Sequence, residues 1–247
     1  MTTPAPRSHR WLSFPVLLVL LPACAAQVLI PAEERLNLER QLTGKDRDRF
    51  VRLSFYVTPF FGDSSKRLLT PVPPNEVRML EEPGGATVSP GAIEAIVPAG
   101  KHARIAKVEF ATAYAIAERV PYTPRTQPWV YLEVEGQPKD RPLILVLRQQ
   151  LKSSAEFLAE VDRYLSQEDP APVLAGFSEP VQQAIKEKSA LMDMPADALE
   201  FAWGYPERKK VRFEEAQKVE EWHYADDRRV ATLTDGRVSN FIGGGAR

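Results

Sequence analysis

The chain has 247 residues, of which 44% are hydrophobic and 26% charged, and its formal net charge at pH 7 is −1. This composition is that of a globular protein and excludes a predominantly disordered chain. The single cysteine excludes an intramolecular disulfide framework, and the scattering of lysine and arginine among acidic residues argues against binding to nucleic acid.

The N-terminal segment has the features of an export signal. Arg7 and Arg10 precede an apolar run over residues 11–21, small residues follow the run, and no acidic residue interrupts it. The run is much shorter than the roughly 20 apolar residues that a membrane-spanning helix needs, and it contains Pro15. We therefore expect residues 1–23 to act as a signal peptide and to be removed.

The cysteine lies at the end of this segment. Residues 21–24, Leu-Pro-Ala-Cys, resemble the lipobox of bacterial lipoproteins, in which a dedicated peptidase cuts before a diacylglycerylated cysteine. The resemblance implies that Cys24 carries a lipid, and several acyl chains would hold the protein on a membrane almost permanently because each buried CH₂ contributes about 0.8 kcal/mol. The alternative is ordinary signal cleavage after Ala25 or Ala26, which gives a secreted or periplasmic product.

The residue after the cysteine bears on the membrane of destination. Ala25 stands there instead of Asp, which resembles the pattern that lets lipoproteins proceed to the outer membrane. The expected location is therefore the cell envelope, with the protein anchored in the outer membrane through its lipid.

A change of pattern near residue 50 marks the start of the first folded domain. We interpret residues 24–49 as a lipidated N-terminus and tether, with a short helix over 31–42 that Gly44 closes. From Phe50 onward, Val51, Leu53, Phe55 and Val57 alternate with more polar residues, as the side chains of a half-buried strand do.

Further strands are predicted where short apolar or alternating runs are separated by proline and glycine turns. These runs are residues 76–80, 93–97, 104–110, 129–134 and 143–147. Their spacing favours a small β-barrel or sandwich over residues 50–167. Within this domain, residues 98–108 loosely resemble SH3-like barrel domains. In those domains a glycine-containing turn leads into a strand that carries a basic residue followed by aliphatic residues.

Two aromatic residues of this domain are candidate binding residues. Trp129 and Tyr131 alternate with Val130 and Leu132, which places the aromatics on one face of the strand and the aliphatics on the other. The aromatic face is either part of a groove for a peptide or glycan or a cover for the core, and the pattern leaves both interpretations open.

The best-marked helix of the chain closes the first domain. Ser153 and Glu156 form a capping box, and Phe157, Val161 and the neighbouring apolar residues fall on one helical stripe, so the helix should pack on the preceding strands. The polar, proline-containing segment 168–177 is typical of a linker, with a domain boundary near residue 170.

The C-terminal domain, residues 178–242, begins with two helices. Ser178 and Pro180 mark the start of the first, and the second follows Pro195 and ends at Gly204. Strands are predicted over residues 208–213, 218–224, 229–233 and 238–241. Asp235-Gly236 is typical of a tight hairpin turn, so the strands should form an antiparallel meander, followed by a flexible tail over 243–247.

Three segments of this domain carry a family resemblance. They are residues 194–206, which end in Trp-Gly-Tyr-Pro, residues 221–224, which read Glu-Trp-His-Tyr, and residues 234–238, which read Thr-Asp-Gly-Arg-Val. The segments resemble the small bacterial envelope lipoproteins of the SmpA/OmlA kind. The resemblance implies a helical layer on a small antiparallel sheet and an accessory scaffolding role in outer-membrane protein assembly. Trp222 and Tyr224 are then either binding residues or core residues between sheet and helix.

Metal binding and catalysis have little support in the sequence. Glu220, Glu221, His223, Asp226 and Asp227 resemble a metal site only weakly, because a transition-metal site usually recruits more nitrogen or sulfur ligands, so we predict no metal and no cofactor. The common motifs of serine hydrolases and zinc proteases are missing, and acylation would remove the only thiol nucleophile.

The sequence therefore predicts an α+β protein with a β-rich first domain and a smaller helix-plus-sheet second domain. We expect it to be a non-catalytic binding or scaffolding module, held on a membrane by its N-terminal lipid, with envelope proteins such as outer-membrane assembly components as partners. The alternatives are a hydrolase that acts on cell-wall material through carboxylates, and a structural spacer.

Overall fold

The computed structural model describes residues 28–243. The signal peptide, Cys24 and residues 244–247 of the predicted tail lie outside these described residues. Among the helices within residues 28–243, none is long and apolar enough to cross a membrane.

The described chain combines helices and strands, which confirms the predicted α+β class. The helices are α1 (Ala32–Thr43), α2 (Ala113–Glu118), α3 (Ser154–Tyr164), α4 (Ala171–Ala175), α5 (Glu179–Glu187) and α6 (Ala196–Trp203). The strands of the larger sheet are β1 (Asp48–Val51), β2 (Phe55–Phe60), β3 (Asp63–Thr70), β4 (Ala95–Val97), β5 (His102–Glu109), β6 (Trp129–Val134), β7 (Leu143–Val146) and β8 (Leu165–Ser166). Those of the smaller sheet are β9 (Arg208–Glu214), β10 (Gln217–Tyr224), β11 (Arg229–Thr234) and β12 (Arg237–Ile242).

The larger sheet is open and mixed, and the predicted small barrel or sandwich is wrong. Its strand order is β4-β2-β3-β7-β6-β5-β1-β8, and β3 and β7 run parallel. Within residues 28–243, no strand pairing joins the edge strands β4 and β8, which have only three and two residues. The glycine turn and strand of the SH3-like segment are present as Gly100 and β5, but they belong to this open sheet.

Helices, rather than a second sheet, cover one face of the larger sheet. The alternating side chains Val51, Leu53, Phe55 and Val57 are all buried there, as predicted. The run is nevertheless divided between β1 and β2, because the backbone between them forms hydrogen bonds with residues outside the sheet ladder. The N–H of Arg52 donates to the carbonyl of Tyr164 at 2.9 Å, and the N–H of Ser54 donates to the carbonyl of Phe201 at 2.8 Å.

Helix α1 belongs to the folded body, which corrects the prediction of a tether over residues 24–49. Leu38 and Leu42 lie four residues apart, on one side of the helix, and both are buried in the core of the larger sheet. Burial of a leucine side chain contributes roughly 1.5–3 kcal/mol, so these two residues hold α1 against β5.

Helix α3 forms as its capping residues predict. The Oγ of Ser153 accepts a hydrogen bond from the N–H of Glu156 at 3.2 Å, and the Glu156 carboxylate accepts one from the N–H of Lys152 at 2.8 Å. Phe157 and Val161 are fully buried, and the ring of Phe157 lies 5.0 Å from that of Phe110. The helix therefore packs on the strands that precede it.

The main errors in strand prediction lie near the β2–β3 hairpin. Residues 76–80 form no strand, because a 3₁₀ turn at Pro74–Glu76 leads into irregular backbone and the Glu76 carboxylate is buried against Arg229. Strand β3 was missed because its first half is polar, whereas Leu68 and Leu69 are buried on opposite faces of the sheet and break the alternating pattern.

The C-terminal part has the predicted arrangement. Helix α6 ends at Gly204, whose φ of 85° is readily available to glycine. Asp235 and Gly236 both have positive φ, as a type I′ hairpin turn requires. The smaller sheet is the antiparallel meander β12-β11-β10-β9, and α5 and α6 bury a second hydrophobic core against it.

The segment between the two parts is packed rather than extended. Residues 168–177, predicted as a linker, contain α4, and both Leu174 and Phe177 pack on the second core. The amine of Lys188, at the end of α5, donates to the carbonyls of Ser54 at 2.6 Å and Ala202 at 2.7 Å. The two parts are thus joined by buried hydrogen bonds.

Candidate functional site

The two aromatic binding candidates on β10 are core residues. Trp222 and Tyr224 are each only 2% exposed and pack under the helices of the C-terminal part. The Trp222 indole N–H donates to Glu220 at 2.9 Å, and the Tyr224 hydroxyl donates to the carbonyl of Gly204 at 3.4 Å. Of the two interpretations, the structure therefore selects the core, and neither residue is available to a ligand.

The two candidates on β6 differ from each other. Trp129 is buried, with its ring 4.9 Å from that of Phe60, and its indole N–H donates to the carbonyl of Pro124 at 3.0 Å. Tyr131 is only half-buried and lines a cavity of about 440 Å³ on the face of the sheet opposite α1 and α3. We call this cavity the Tyr131 pocket.

Side chains reach the Tyr131 pocket from β6, which carries Tyr131 itself, and from three further elements. A bulge at Ala106 shifts the register of β5, so that Lys107 lies opposite Tyr131 and Glu109 lies opposite Trp129. The β2–β3 hairpin, helix α2 and the two residues that follow α2 supply the remaining walls. The residues that line the pocket are Asp63, Lys66, Lys107, Glu109, Tyr114, Ala115, Glu118, Arg119, Val120, Trp129 and Tyr131.

Glu109 is the centre of the hydrogen-bond network in this pocket. Its carboxylate accepts from Lys107 Nζ at 2.6 Å, from Arg119 Nε at 2.7 Å and from the Tyr131 hydroxyl at 3.1 Å. Burial acts to raise the pKa of Glu109, but the hydrogen bonds from Lys107 and Arg119 outweigh it, so the pKa lies below its usual value. Burial, followed by the negative charge of Glu109, raises the pKa of Tyr131, which keeps the phenol protonated.

A second ion pair forms the opposite wall. Asp63 accepts from Lys66 Nζ at 2.6 Å and from the Ser65 hydroxyl at 2.6 Å. Burial acts to raise the pKa of Asp63, but the hydrogen bonds from Lys66 and Ser65 again outweigh it and lower the pKa. The carboxylates of Glu109 and Asp63 are therefore both ionised near neutral pH.

Arg119 fixes the wall formed by the segment after α2. Its guanidinium lies over the Trp129 ring, 3.7 Å from the centroid, and also donates to the carbonyl of Gln127 at 2.8 Å. Its side chain is 3% exposed, so it holds the pocket in shape rather than facing a ligand. The amines of Lys66 and Lys107 are more exposed and are the cations that a ligand can reach.

The pocket continues into a neighbouring depression of about 170 Å³, which shares Lys107 and Tyr131 and extends along residues 132–143. Together they form a groove across the sheet with donors and acceptors on both sides of the Tyr131 ring. An arrangement of fixed charges of both signs beside an aromatic side chain suits a polar ligand with several hydroxyl or amide groups.

A larger cavity, of about 510 Å³, lies near the junction of the two parts. Two of its carboxylates already serve the fold, because Asp162 pairs with the buried Arg49 at 2.9 Å and Asp169 accepts from the N–H of Ala171 at 2.8 Å. The Tyr131 pocket is the stronger candidate, since it combines partly buried ionisable groups with shifted pKa values.

The weak metal-site pattern on β10 and in the turn that follows it is a network of ion pairs. Nδ1 of His223 lies 2.6 Å from Asp227, which also accepts from Arg208 at 2.8 Å, and Glu221 pairs with Arg212. Residues 28–243 contain no cluster of three or more histidine, cysteine or acidic side chains that could hold a metal ion.

Comparison with known proteins does not assign the chain to a family. A scan against protein-family models, a search of curated proteins and a search of solved structures found no match. The resemblances to bacterial lipoproteins, to the SmpA/OmlA lipoproteins and to SH3-like domains therefore stay predictions.

Sequence reasoning found Tyr131 but missed the charged residues around it. The spacing of Lys107 and Glu109, two residues apart on a strand, is a local signal that both share a face. That this face is the one carrying Tyr131 depends on the bulge at Ala106. Asp63 and Arg119 come from separate segments that only the folded chain brings together.

Proposed function

We propose that this protein is a lipid-anchored component of the bacterial cell envelope, held in the outer membrane, and that it acts there as a non-catalytic binding or scaffolding module. The location is supported by the export signal and the lipobox-like residues 21–24. The binding role is supported above all by the Tyr131 pocket, in which the aromatic ring, two amines and two carboxylates are held in position by one another.

The electrostatics of the pocket favour binding over hydrolysis. A glycosidase needs one carboxylic acid whose raised pKa lets it donate a proton at working pH. Both Glu109 and Asp63 have lowered pKa values, because cations donate hydrogen bonds to them. They accept hydrogen bonds from a ligand but are poor proton donors, and this supports a binding module over the alternative of a cell-wall hydrolase.

The choice of partner rests on the C-terminal part. Its helices α5 and α6 lie on a four-stranded antiparallel sheet, which is the arrangement that the SmpA/OmlA resemblance implies. Envelope proteins, including components of outer-membrane assembly, are accordingly the partners that we propose. Because fold does not imply function, the partner must be found by experiment.

Removal of the lipid site tests the location. The variant Cys24→Ala should leave the membrane fraction and appear in the soluble envelope fraction, because the acyl chains supply the membrane affinity. Mass spectrometry of the mature wild-type protein should show an acylated N-terminal cysteine. Unchanged membrane partitioning of the variant, or a mature chain that begins downstream of Cys24, would contradict the proposal.

Capture of crosslinked partners from intact envelopes tests the binding role. The double variant Lys66→Ala/Lys107→Ala removes the two reachable cations of the pocket, and the variant Lys45→Ala/Lys210→Ala makes the same charge change at exposed sites elsewhere. Partners captured by the wild type and the control variant should be lost with the pocket variant. Recovery of cell-wall fragments alone, together with their cleavage by the purified protein, would favour the hydrolase instead.

A further inference from the structure

The first described residues show which side of the molecule the lipid anchor must lie on. Val28 packs on the core of the larger sheet, and Ile30 is 2% exposed, so the chain is held by the fold from this point onward. Only three residues lie between Cys24 and Val28, and even fully extended these four Cα–Cα steps span only about 14 Å.

This distance is short compared with the size of the folded protein. A folded domain of this length has a radius of gyration of about 17 Å. Because the lipidated residue lies within about 14 Å of Val28, the side of the protein opposite Val28 cannot contact the bilayer. The surface around Val28 must therefore face the membrane if Cys24 is acylated.

The neighbourhood of Val28 is the loop segment that contains α2. Residues 28–30 line a small cavity together with Phe110, Ala111, Pro128 and residues 149–151. The start of the described chain thus lies directly against both ends of the segment 110–128. We call residues 28–30 and 110–128 the anchor face.

The anchor face concentrates exposed apolar and aromatic side chains. Tyr114 is 76% exposed, Tyr122 74%, Leu29 44% and Val120 38%. These are four of the eleven large hydrophobic side chains that are exposed in residues 28–243, although the anchor face is a small part of that chain. Exposed apolar side chains concentrated in two segments that meet in the fold indicate an interaction site.

The charges of this surface suit a bilayer. Segment 110–128 contains only three charged residues, Glu118, Arg119 and Arg125, and Arg119 is buried. Tyrosine side chains are enriched where protein meets the headgroup region, because the ring enters the apolar layer while the hydroxyl stays hydrated. A protein partner would need complementary side chains, whereas a lipid surface accepts this pattern directly.

We propose that the anchor face lies on the membrane surface, with Tyr114 and Tyr122 at the level of the lipid headgroups. This inference rests on the lipid that the proposed function places on Cys24. It also gives the Tyr131 pocket an orientation, because Tyr114 and Val120 line both the pocket and the anchor face. A ligand of the pocket would then be bound close to the bilayer.

Hydrogen exchange of the lipidated, full mature protein tests this orientation. The protein is bound to vesicles of phosphatidylethanolamine and phosphatidylglycerol and compared with the soluble Cys24→Ala variant. Amide exchange in segment 110–128 should slow about tenfold on the vesicles. Strand β9 should be unchanged, although it carries the exposed side chains Val211 and Phe213, because it lies outside the anchor face. Equal slowing in β9, no slowing in 110–128, or slowing that requires an added protein would overturn the inference.

A matched pair of variants checks that the tyrosines make the contact. Tyr114→Ser/Tyr122→Ser should lose most of the slowing in 110–128, whereas Met192→Ser/Phe213→Ser, which removes two other exposed hydrophobic side chains, should retain it. Failure of the wild type to float with vesicles would count against the lipid itself. In that case a phospholipid coupled chemically to Cys24 restores the anchor, and the same exchange measurement still decides the orientation.

Discussion

The same short pattern, Trp-x-Tyr, lies on a β-strand in each part of the molecule, and its exposure differs between the two. Trp129 and Tyr131 lie on β6, and Trp222 and Tyr224 lie on β10. In both places a cation lies 3.7 Å from the centroid of the tryptophan ring. On β10 the helices cover the pattern completely, whereas on β6 Tyr131 faces an open cavity. Whether an aromatic residue of this pattern can contact a ligand therefore depends on the helices that pack over the sheet and not on the pattern itself.

Truncation of the covered pattern should have the largest effect on stability. Trp222→Ala removes a side chain that is 2% exposed and leaves a cavity between sheet and helices, so we expect a loss of about 3–5 kcal/mol in the free energy of unfolding. Tyr131→Ala should cost less than half as much, because one side of the ring already faces the pocket. Urea unfolding of both variants measures the difference. Equal losses would show that the two patterns are covered alike.

Each pattern is also supported by an arginine paired with a glutamate, and the two pairs differ in burial. Arg229, beside the Tyr224 ring, pairs with Glu76 of the first part at 2.9 Å, and both side chains are at most 6% exposed. Glu76→Gln leaves this arginine buried without a countercharge and should cost about 3 kcal/mol.

The matched change in the first part is Glu109→Gln. It should cost less, because Arg119 keeps its backbone acceptor at Gln127 and the pocket is open to water. Unfolding of both variants in the same buffer makes the comparison. A smaller loss for Glu76→Gln than for Glu109→Gln would mean that the junction between the parts contributes little to stability.

One exposed lysine lies beside each pattern, and substitution of the two lysines should affect partner binding differently but stability equally. Lys107 lies over the Tyr131 ring in the pocket, and Lys209 lies over the buried Trp222. Replacement of either by Ala should change the free energy of unfolding by less than about 1 kcal/mol. Only Lys107→Ala should reduce the capture of partners from envelopes. A loss of capture with Lys209→Ala alone would place the binding surface on the C-terminal part.

The smallest effect is expected from acid titration of the pocket. The folded-state pKa of Glu109 is lowered from 4.5, so its contribution to stability is complete above that value and is lost as the pH falls through the lower folded pKa. The stability of the wild type should therefore fall more steeply than that of Glu109→Gln below about pH 4.5. Parallel curves from urea unfolding at several pH values would show that Lys107 and Arg119 do not stabilise the carboxylate.

The C-terminal part was predicted more completely than the first part, and the reason is local. Helix α6 ends at Gly204 and the last hairpin turns at Asp235-Gly236, and in both cases residues a few positions apart determine the backbone. The meander then follows, because each strand pairs with its neighbour in the chain. In the first part, β3 pairs with β7 across more than 70 residues, and no local pattern indicates that pairing.

The candidate site shows the same limit. Tyr131 was identified from the alternation of β6, but the charged groups around it come from the β2–β3 hairpin, from β5 and from the C-terminal end of α2 with the residue after it. Their meeting depends on a one-residue bulge, which reverses the face of every following side chain on β5. Propensity and periodicity do not indicate a bulge of this kind.

By itself the sequence determined the α+β class, the capped helix α3, the terminal meander and the two aromatic patterns, because these depend on contacts between residues close together in the chain. The tertiary structure alone decided that the large sheet stays open, that α1 packs on it, and that one aromatic pattern is buried while the other borders a pocket. These outcomes depend on partners far apart, such as Glu76 and Arg229, which are 153 residues apart in the chain and meet in a buried ion pair.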